Sequence, residues 1–238
     1  MYDFSTRPSI SLDNFIEAVS NDAPFTLSRW GDGEWASILG QGGENCDGVK
    51  YTRELQEGLI DMLVNRGPYN YGILKVALDV HKDKVAEWLG AHNINVGWKF
   101  ADSLTVANRT GTLTPFINAI NKIPMIYVGP KHIDEIDGFL LTLGAMVIVP
   151  PVEAFDYLDV IEEEVMSVVD QFGFIGVSMG PGGKLLIHRL NKHIGSTHKI
   201  LDFGAMWDGY CGVYSRGYFR DTTWSDIMQK NLNGVIKP

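Results

Sequence analysis

Short runs of apolar and β-branched residues alternate along this chain with longer segments whose apolar positions recur every three or four residues. The runs Phe25–Ser28, Tyr71–Ala77, Met125–Val128, Ala145–Val149, Phe174–Ser178 and Lys199–Phe203 predict strands. Leu12–Val19, Thr52–Asn65, Lys82–Ala91, Thr112–Lys122, Glu135–Leu143, Tyr157–Phe172 and Gly183–His193 predict helices. In the second of these, Leu55, Leu59, Ile60, Leu63 and Val64 form an apolar stripe with polar residues between them. Several strands are apolar throughout, as in sheets covered on both faces. The alternation predicts an α/β fold, a doubly wound and mostly parallel sheet with helices on both faces.

Composition narrows the picture. The 238 residues, 45% of them hydrophobic, suit one sizeable globular domain spanning 1–238. Residues 205–238 fall outside the regular alternation. Their stretch Ser215-Arg216-Gly217-Tyr218-Phe219-Arg220 suits a lid, an acceptor contact, or a tail packed on the body. No apolar run has membrane-spanning length: the nearest, Phe139 to Val152, is interrupted by Thr142, Gly144 and two prolines. With no basic-then-apolar leader pattern, a cytoplasmic protein is expected. Cys46 and Cys211 make neither a disulfide framework nor a zinc cluster and read as reduced thiols. The formal charge of −9 argues against broad binding to nucleic acid and disfavours, without excluding, a nucleic acid acceptor. A nucleotide in one basic pocket remains compatible with it.

In an open parallel sheet, ligands bind beyond the carboxyl ends of the strands. Four polar, glycine-bearing turns fall there: Gly31-Asp32-Gly33-Glu34, Gly129-Pro130-Lys131-His132, Gly180-Pro181-Gly182-Gly183-Lys184 and Asp202-Phe203-Gly204. In the first, two carboxylates one residue apart suit a hard divalent cation shared with substrate phosphates. Taken alone, the loop is more simply a tight turn in which Asp32 caps the following helix and Glu34 favours its positive end, because Asp-Gly pairs are common turn formers.

The turn after Phe174–Ser178 reads as strand, glycine turn and helix start, a setting in which backbone amides and Lys184 suit a phosphate. It equally suits a purely structural turn. It is neither a Walker loop nor a dinucleotide fingerprint, because Leu185 occupies the place of the required Ser/Thr or third glycine. Gly176-Val177-Ser178-Met179-Gly180 also matches the nucleophile elbow of serine hydrolases. No Asp or Glu lies between Ser178 and the last histidine, His198, so a triad in the usual order cannot be built. His188, His193 and His198, spaced at five, do not share a helix face as a zinc pair would. Trp98, Trp207, Trp224 and Tyr218 can stack on a sugar or base, although core packing is the simpler use.

Together these segments resemble the GT-D-type glycosyltransferases, a group first catalogued as a domain of unknown function. The resemblance runs from about Ser11 to Gly212 and centres on Arg29-Trp30-Gly31-Asp32-Gly33-Glu34, similar to the signature containing that family's Asp-x-Glu metal motif. Tyr127-Val128-Gly129-Pro130, Val149-Pro150-Pro151-Val152-Glu153-Ala154-Phe155, Ser178-Met179-Gly180-Pro181 and Leu201-Asp202-Phe203-Gly204 support it in order and spacing. Three positions depart from the pattern. Glu153 stands where an amide-bearing residue is expected, Ala205 replaces a frequent histidine, and a usual acidic cluster is reduced to Asp208.

The resemblance implies a Rossmann-like fold, a nucleotide-sugar donor (most often UDP-linked), a hydroxyl-bearing acceptor such as a glycan or protein, and Mn²⁺ or Mg²⁺. On this reading Asp32 and Glu34 hold the metal, and Asp202 and Asp208 are candidate bases. Arg29, Gly31, Gly129, Gly180, Pro181, Gly182, Gly183 and Lys184 line the donor phosphates. A non-catalytic nucleotide- or sugar-binding protein of the same fold is the alternative, and a hydrolase using Ser178 a more distant one.

Overall fold

The computed structural model describes residues 2–45 and 48–236; Cys46, expected as a reduced thiol, lies outside them. Among the described residues seven strands form one sheet: β1 (Phe25–Trp30), β2 (Asn70–Ile73), β3 (Lys99–Phe100), β4 (Met125–Gly129), β5 (Leu143–Ile148), β6 (Phe174–Val177) and β7 (Lys199–Asp202). Their order is β3-β2-β1-β7-β6-β4-β5, and every pairing is parallel. Nine α-helices are found among the described residues: α1 (Leu12–Ser20), α2 (Asp32–Ile38), α3 (Arg53–Val64), α4 (Lys75–Ala91), α5 (Ser103–Thr110), α6 (Thr114–Ile120), α7 (Leu158–Val168), α8 (Gly182–Ile194) and α9 (Trp224–Leu232).

The strand residues divide by alternation. Met125 and Tyr127 of β4 join one core with Phe15 of α1 and Phe116 of α6. Ile126 and Val128 join the other with Leu59 of α3, Val165 of α7 and Leu186 of α8. Two apolar layers therefore sandwich the sheet, as the uniformly apolar strands require. The strand order reverses between β1 and β7, and the loops leaving those two strands open on the same edge.

Two expected elements take a different form in the structure, and β3, α5 and α9 match no element expected from sequence. The strand expected over Tyr71–Ala77 stops at Ile73, because the Lys75 N–H is capped by the Asp102 carboxylate at 2.9 and 3.1 Å and begins α4. The helix expected over Glu135–Leu143 is a 3₁₀ segment, Lys131–Ile136, followed by a reversal. There Asp137 Oδ1 accepts N–H groups from Gly138 and Leu143, and Gly138 takes φ +63°.

The aromatic side chains offered as stacking platforms are mostly interior: Trp98, Trp207 and Trp224 are buried. Among the described residues no helix is long and apolar enough to cross a membrane.

Candidate functional site

β1 ends on the buried Trp30, and the chain turns at Gly31 directly into α2. Glu34 closes this turn, its Oε2 accepting the Gly31 N–H at 2.7 Å. A first-turn carboxylate thereby satisfies an amide that has no helical partner. Glu34 is buried. Asp32, at the first position of α2, is exposed and makes no hydrogen bond or ion pair among the described residues.

The second Glu34 oxygen, Oε1, lies 2.9 Å from Lys184 Nζ. Lys184 rises from the first turn of α8 and also reaches Asp202 Oδ2 at 3.0 Å and the Gly180 carbonyl at 3.2 Å. An ammonium has three N–H donors, and these three acceptors saturate it. Asp202 is equally engaged: Oδ2 also accepts the Arg29 backbone N–H and Oδ1 accepts the Gly204 N–H, both at 2.9 Å. The Arg29 guanidinium donates to the carbonyls of Asp202 and Phe203 and, at 2.7 Å, to the Thr105 hydroxyl.

Two buried carboxylates thus share the Lys184 ammonium, which makes their burial tolerable, while the Arg29 guanidinium rests on backbone carbonyls and a hydroxyl. Burial alone draws the Lys184 ammonium toward a lower pKa. The charges of Asp202 and Glu34 outweigh it, and the net shift is upward. Of the residues selected from sequence, Arg29, Glu34, Lys184 and Asp202 are brought together in this internal cluster. Asp32 and Asp208 stand outside it.

The glycine-rich turn is a tight one. Gly180 takes φ +55°, Pro181 precedes α8, and the Gly183 N–H donates to the carbonyls of Met179 and Gly180. The Lys184 N–H donates to Pro181 O, so these two amides close the turn on itself. Gly129, at the end of β4, is required by packing, since a Cβ there would stand 2.5 Å from the Tyr127 ring.

Beside these loops a cavity of about 400 Å³ opens at the carboxyl ends of β4, β5, β6 and β7. Pro130, Val149, Pro150 and Met179 give it apolar walls, and Gly180 and Gly204 contribute backbone. Its polar face combines His132, Ser178, Asp208 and Ser215. Asp208 is buried. Its Oδ1 lies 2.9 Å from His132 Nε2, and its Oδ2 accepts from the Ser215 hydroxyl. Cys211, a free thiol near Asp208, is pushed up to about 12 by burial and then by the charges of Asp208 and Glu135, so it stays protonated.

Ser178 is held away from any nucleophilic role. Its hydroxyl donates to the Gly204 carbonyl at 2.6 Å and meets the Tyr127 hydroxyl at 2.5 Å. Burial holds the Tyr127 phenol well above its ordinary pKa, leaving it protonated to donate to Ser178. His132 is engaged with Asp208 instead, and the geometry gives Ser178 no base.

Residues 213–220 run back over this edge. Ser215 reaches Asp208, and the Arg109 guanidinium lies over the Tyr218 ring at 5.2 Å from its centroid. Of the stretch Ser215–Arg220, Ser215 lines the cavity. His132 was not selected from sequence as a site residue; its one signal was its place in the turn leaving β4, three residues after Gly129.

No family model and no curated protein matches this chain. Two solved structures do resemble it. One is a selenomethionine-substituted structure of domain of unknown function 1792, with 14% identity and a TM-score of 0.59 over 84% of this chain and 79% of that one. The other, with 14% identity and a TM-score of 0.58, covers 87% of this chain and 83% of its own; it is described as a highly conserved domain of unknown function 1792 with a distinct glycosyltransferase fold. At this identity the likeness is one of fold, and the Rossmann-like α/β architecture of this chain is similar to that of a glycosyltransferase-fold domain over most of its length.

Proposed function

We propose that this protein transfers a sugar from a nucleotide-diphosphate donor, UDP-linked by preference, to an acceptor hydroxyl, with Mn²⁺ or Mg²⁺ bound beside the donor phosphates. The observation that carries the reading is the open carboxylate of Asp32 on the same sheet edge as a cavity walled by four strand ends. The likeness in fold supports it.

The carboxylates present fit a donor-shared ion better than a protein-enclosed one. Among the described residues there is no group of three or more His, Cys, Asp or Glu able to cage a metal. Magnesium and manganese are commonly held by one or two carboxylates together with substrate phosphates, and the exposed carboxylate of Asp32 is the ligand this reading assigns to the chain. Glu34 would add its charge from behind while holding the turn through Gly31 and Lys184. When bound, the ion would supply positive charge against the departing nucleotide diphosphate.

The chain's own contribution is positional. Glu34, Lys184, Asp202 and Arg29 lock the edge of β1 against β7 and α8, so Asp32 and the cavity keep a fixed relation.

Calorimetric titration of UDP and UDP-sugars, with and without Mn²⁺, into wild type and Asp32→Asn tests the reading. Metal-dependent binding should appear in wild type and weaken at least tenfold in the variant, with turnover lost and the fold intact. Full activity in Asp32→Asn would sink the metal assignment. Metal-dependent donor binding without hydrolysis or transfer across an acceptor panel would instead identify a non-catalytic nucleotide-sugar binder.

A further inference from the structure

We infer that His132 is the base that takes the proton from the acceptor hydroxyl, and that Asp208, steadied by Ser215, is its positioning residue. The inference rests on the transferase reading and adds the acceptor half of the site to it.

Three observations carry it. First, the His132 side chain lines the cavity and is about a quarter exposed, whereas Asp208 behind it is 7% exposed. An incoming hydroxyl therefore meets the imidazole before the carboxylate. Second, Asp208 accepts on both oxygens, from His132 Nε2 at 2.9 Å and from the Ser215 hydroxyl. A carboxylate accepting at Nε2 fixes the neutral tautomer with its proton there, and leaves the Nδ1 lone pair as the acceptor. Third, His132 Nδ1 has no hydrogen-bond partner among the described residues. Asp202, the other carboxylate near the edge, is closed off by Lys184, Arg29 and Gly204.

The step balances without a further reactant. As the acceptor oxygen bonds to the anomeric carbon, its proton passes to His132 Nδ1. The bond from that carbon to the donor phosphate oxygen breaks, and its electron pair leaves with the nucleotide diphosphate. The imidazolium formed is stabilised by Asp208 and returns its proton to solvent. The ionisable groups on the 3₁₀ turn that carries His132 are Lys131, Asp134 and Glu135, and those on the facing 3₁₀ turn, Asp208–Cys211, are Asp208, Tyr210 and Cys211. Burial keeps Tyr210 and Cys211 protonated, and Asp208 is the group hydrogen-bonded to the imidazole.

The test uses the full chain with UDP-glucose and Mn²⁺, water serving as the acceptor, in wild type, His132→Ala, His132→Gln and Asp208→Asn. Circular dichroism and melting temperature check the fold. His132→Ala should bind UDP-glucose within threefold of wild type and lose about 10²–10⁴-fold in kcat, the usual size of a general-base contribution. Added imidazole should restore part of that loss in His132→Ala but not in the bulkier His132→Gln. Asp208→Asn should keep donor affinity while lowering kcat and altering the acid limb of its pH profile. A kcat within threefold of wild type in folded His132→Ala overturns the base assignment and leaves the transferase reading standing. Loss of donor binding in that variant places His132 in the donor site and also overturns it. If wild type turns over no nucleotide sugar, with water or across an acceptor panel, the transferase reading falls and the base assignment falls with it.

Discussion

The same residue type serves different ends on this edge according to its partners. Asp32 is open, Asp202 is saturated by two amides and an ammonium, and Asp208 orients a histidine. Sequence could name all three as carboxylates near strand ends, but partners as far as 173 positions away decide what each can do. His188 makes the same point. It lies on α8 with Nε2 buried and unpartnered, and Nδ1 is 3.4 Å from the Tyr69 hydroxyl. Burial, and next the nearby Lys192, pull its pKa down to about 4, so the fold holds it neutral. The unfolded chain binds a proton near pH 6.5 that the folded one refuses. Stability from this group is therefore present above pH 6.5 and lost as pH falls toward 4. Urea unfolding at stepped pH should show that acid slope in wild type, and His188→Phe should flatten it. An unchanged slope in the variant would assign the loss to carboxylates instead.

At the scale of elements, legibility followed local information. Helix α3 was readable because Thr52 caps Leu55 and the apolar stripe is strong. The expected helix over Glu135–Leu143 failed because Asp137 offers the backbone a competing turn, which periodicity does not register. β3, α2 and α9 are short or weakly patterned and owe their form to tertiary contacts. For α9 one residue supplies the attachment. The Asn231 side chain is fully buried and donates to Asn108 O at 2.8 Å and to the Tyr210 hydroxyl at 2.9 Å, while accepting from Leu113 N at 2.9 Å. Asn231→Ala leaves Leu113 N and Asn108 O buried without partners, at about 1–3 kcal/mol for each such group. Hydrogen exchange should therefore accelerate across residues 205–236 before the sheet opens. Uniform protection in the variant would show that aromatic packing around Trp224 holds the extension instead.

For the whole molecule, the decisive feature is how separate chain segments are joined at the functional edge. The motif Arg29 to Glu34, the glycine turn and Asp202 were each visible in sequence as loop chemistry, and the parallel sheet was visible as an alternation that put them on one edge. Their mutual neutralisation was not visible, because it depends on side-chain direction across three loops. The donor role expected of Lys184 meets this fact directly, since its three N–H donors are engaged by Glu34, Asp202 and Gly180. Lys184→Met would leave two buried carboxylates without their shared counter-charge, and breaking a buried pair in this way costs about 3–5 kcal/mol. The folded-state pKa of Lys184 is raised, so its stabilisation is fully present below the unfolded value near 10.5 and is lost only as pH rises through the higher folded value. Denaturant unfolding should accordingly give a constant deficit for Lys184→Met between pH 7 and 9, with the gap to wild type closing above about pH 10.5. Donor titration well below the variant's melting temperature separates the two roles. A pinning lysine leaves UDP affinity within threefold, whereas a phosphate-binding lysine loses tenfold or more with little change in stability.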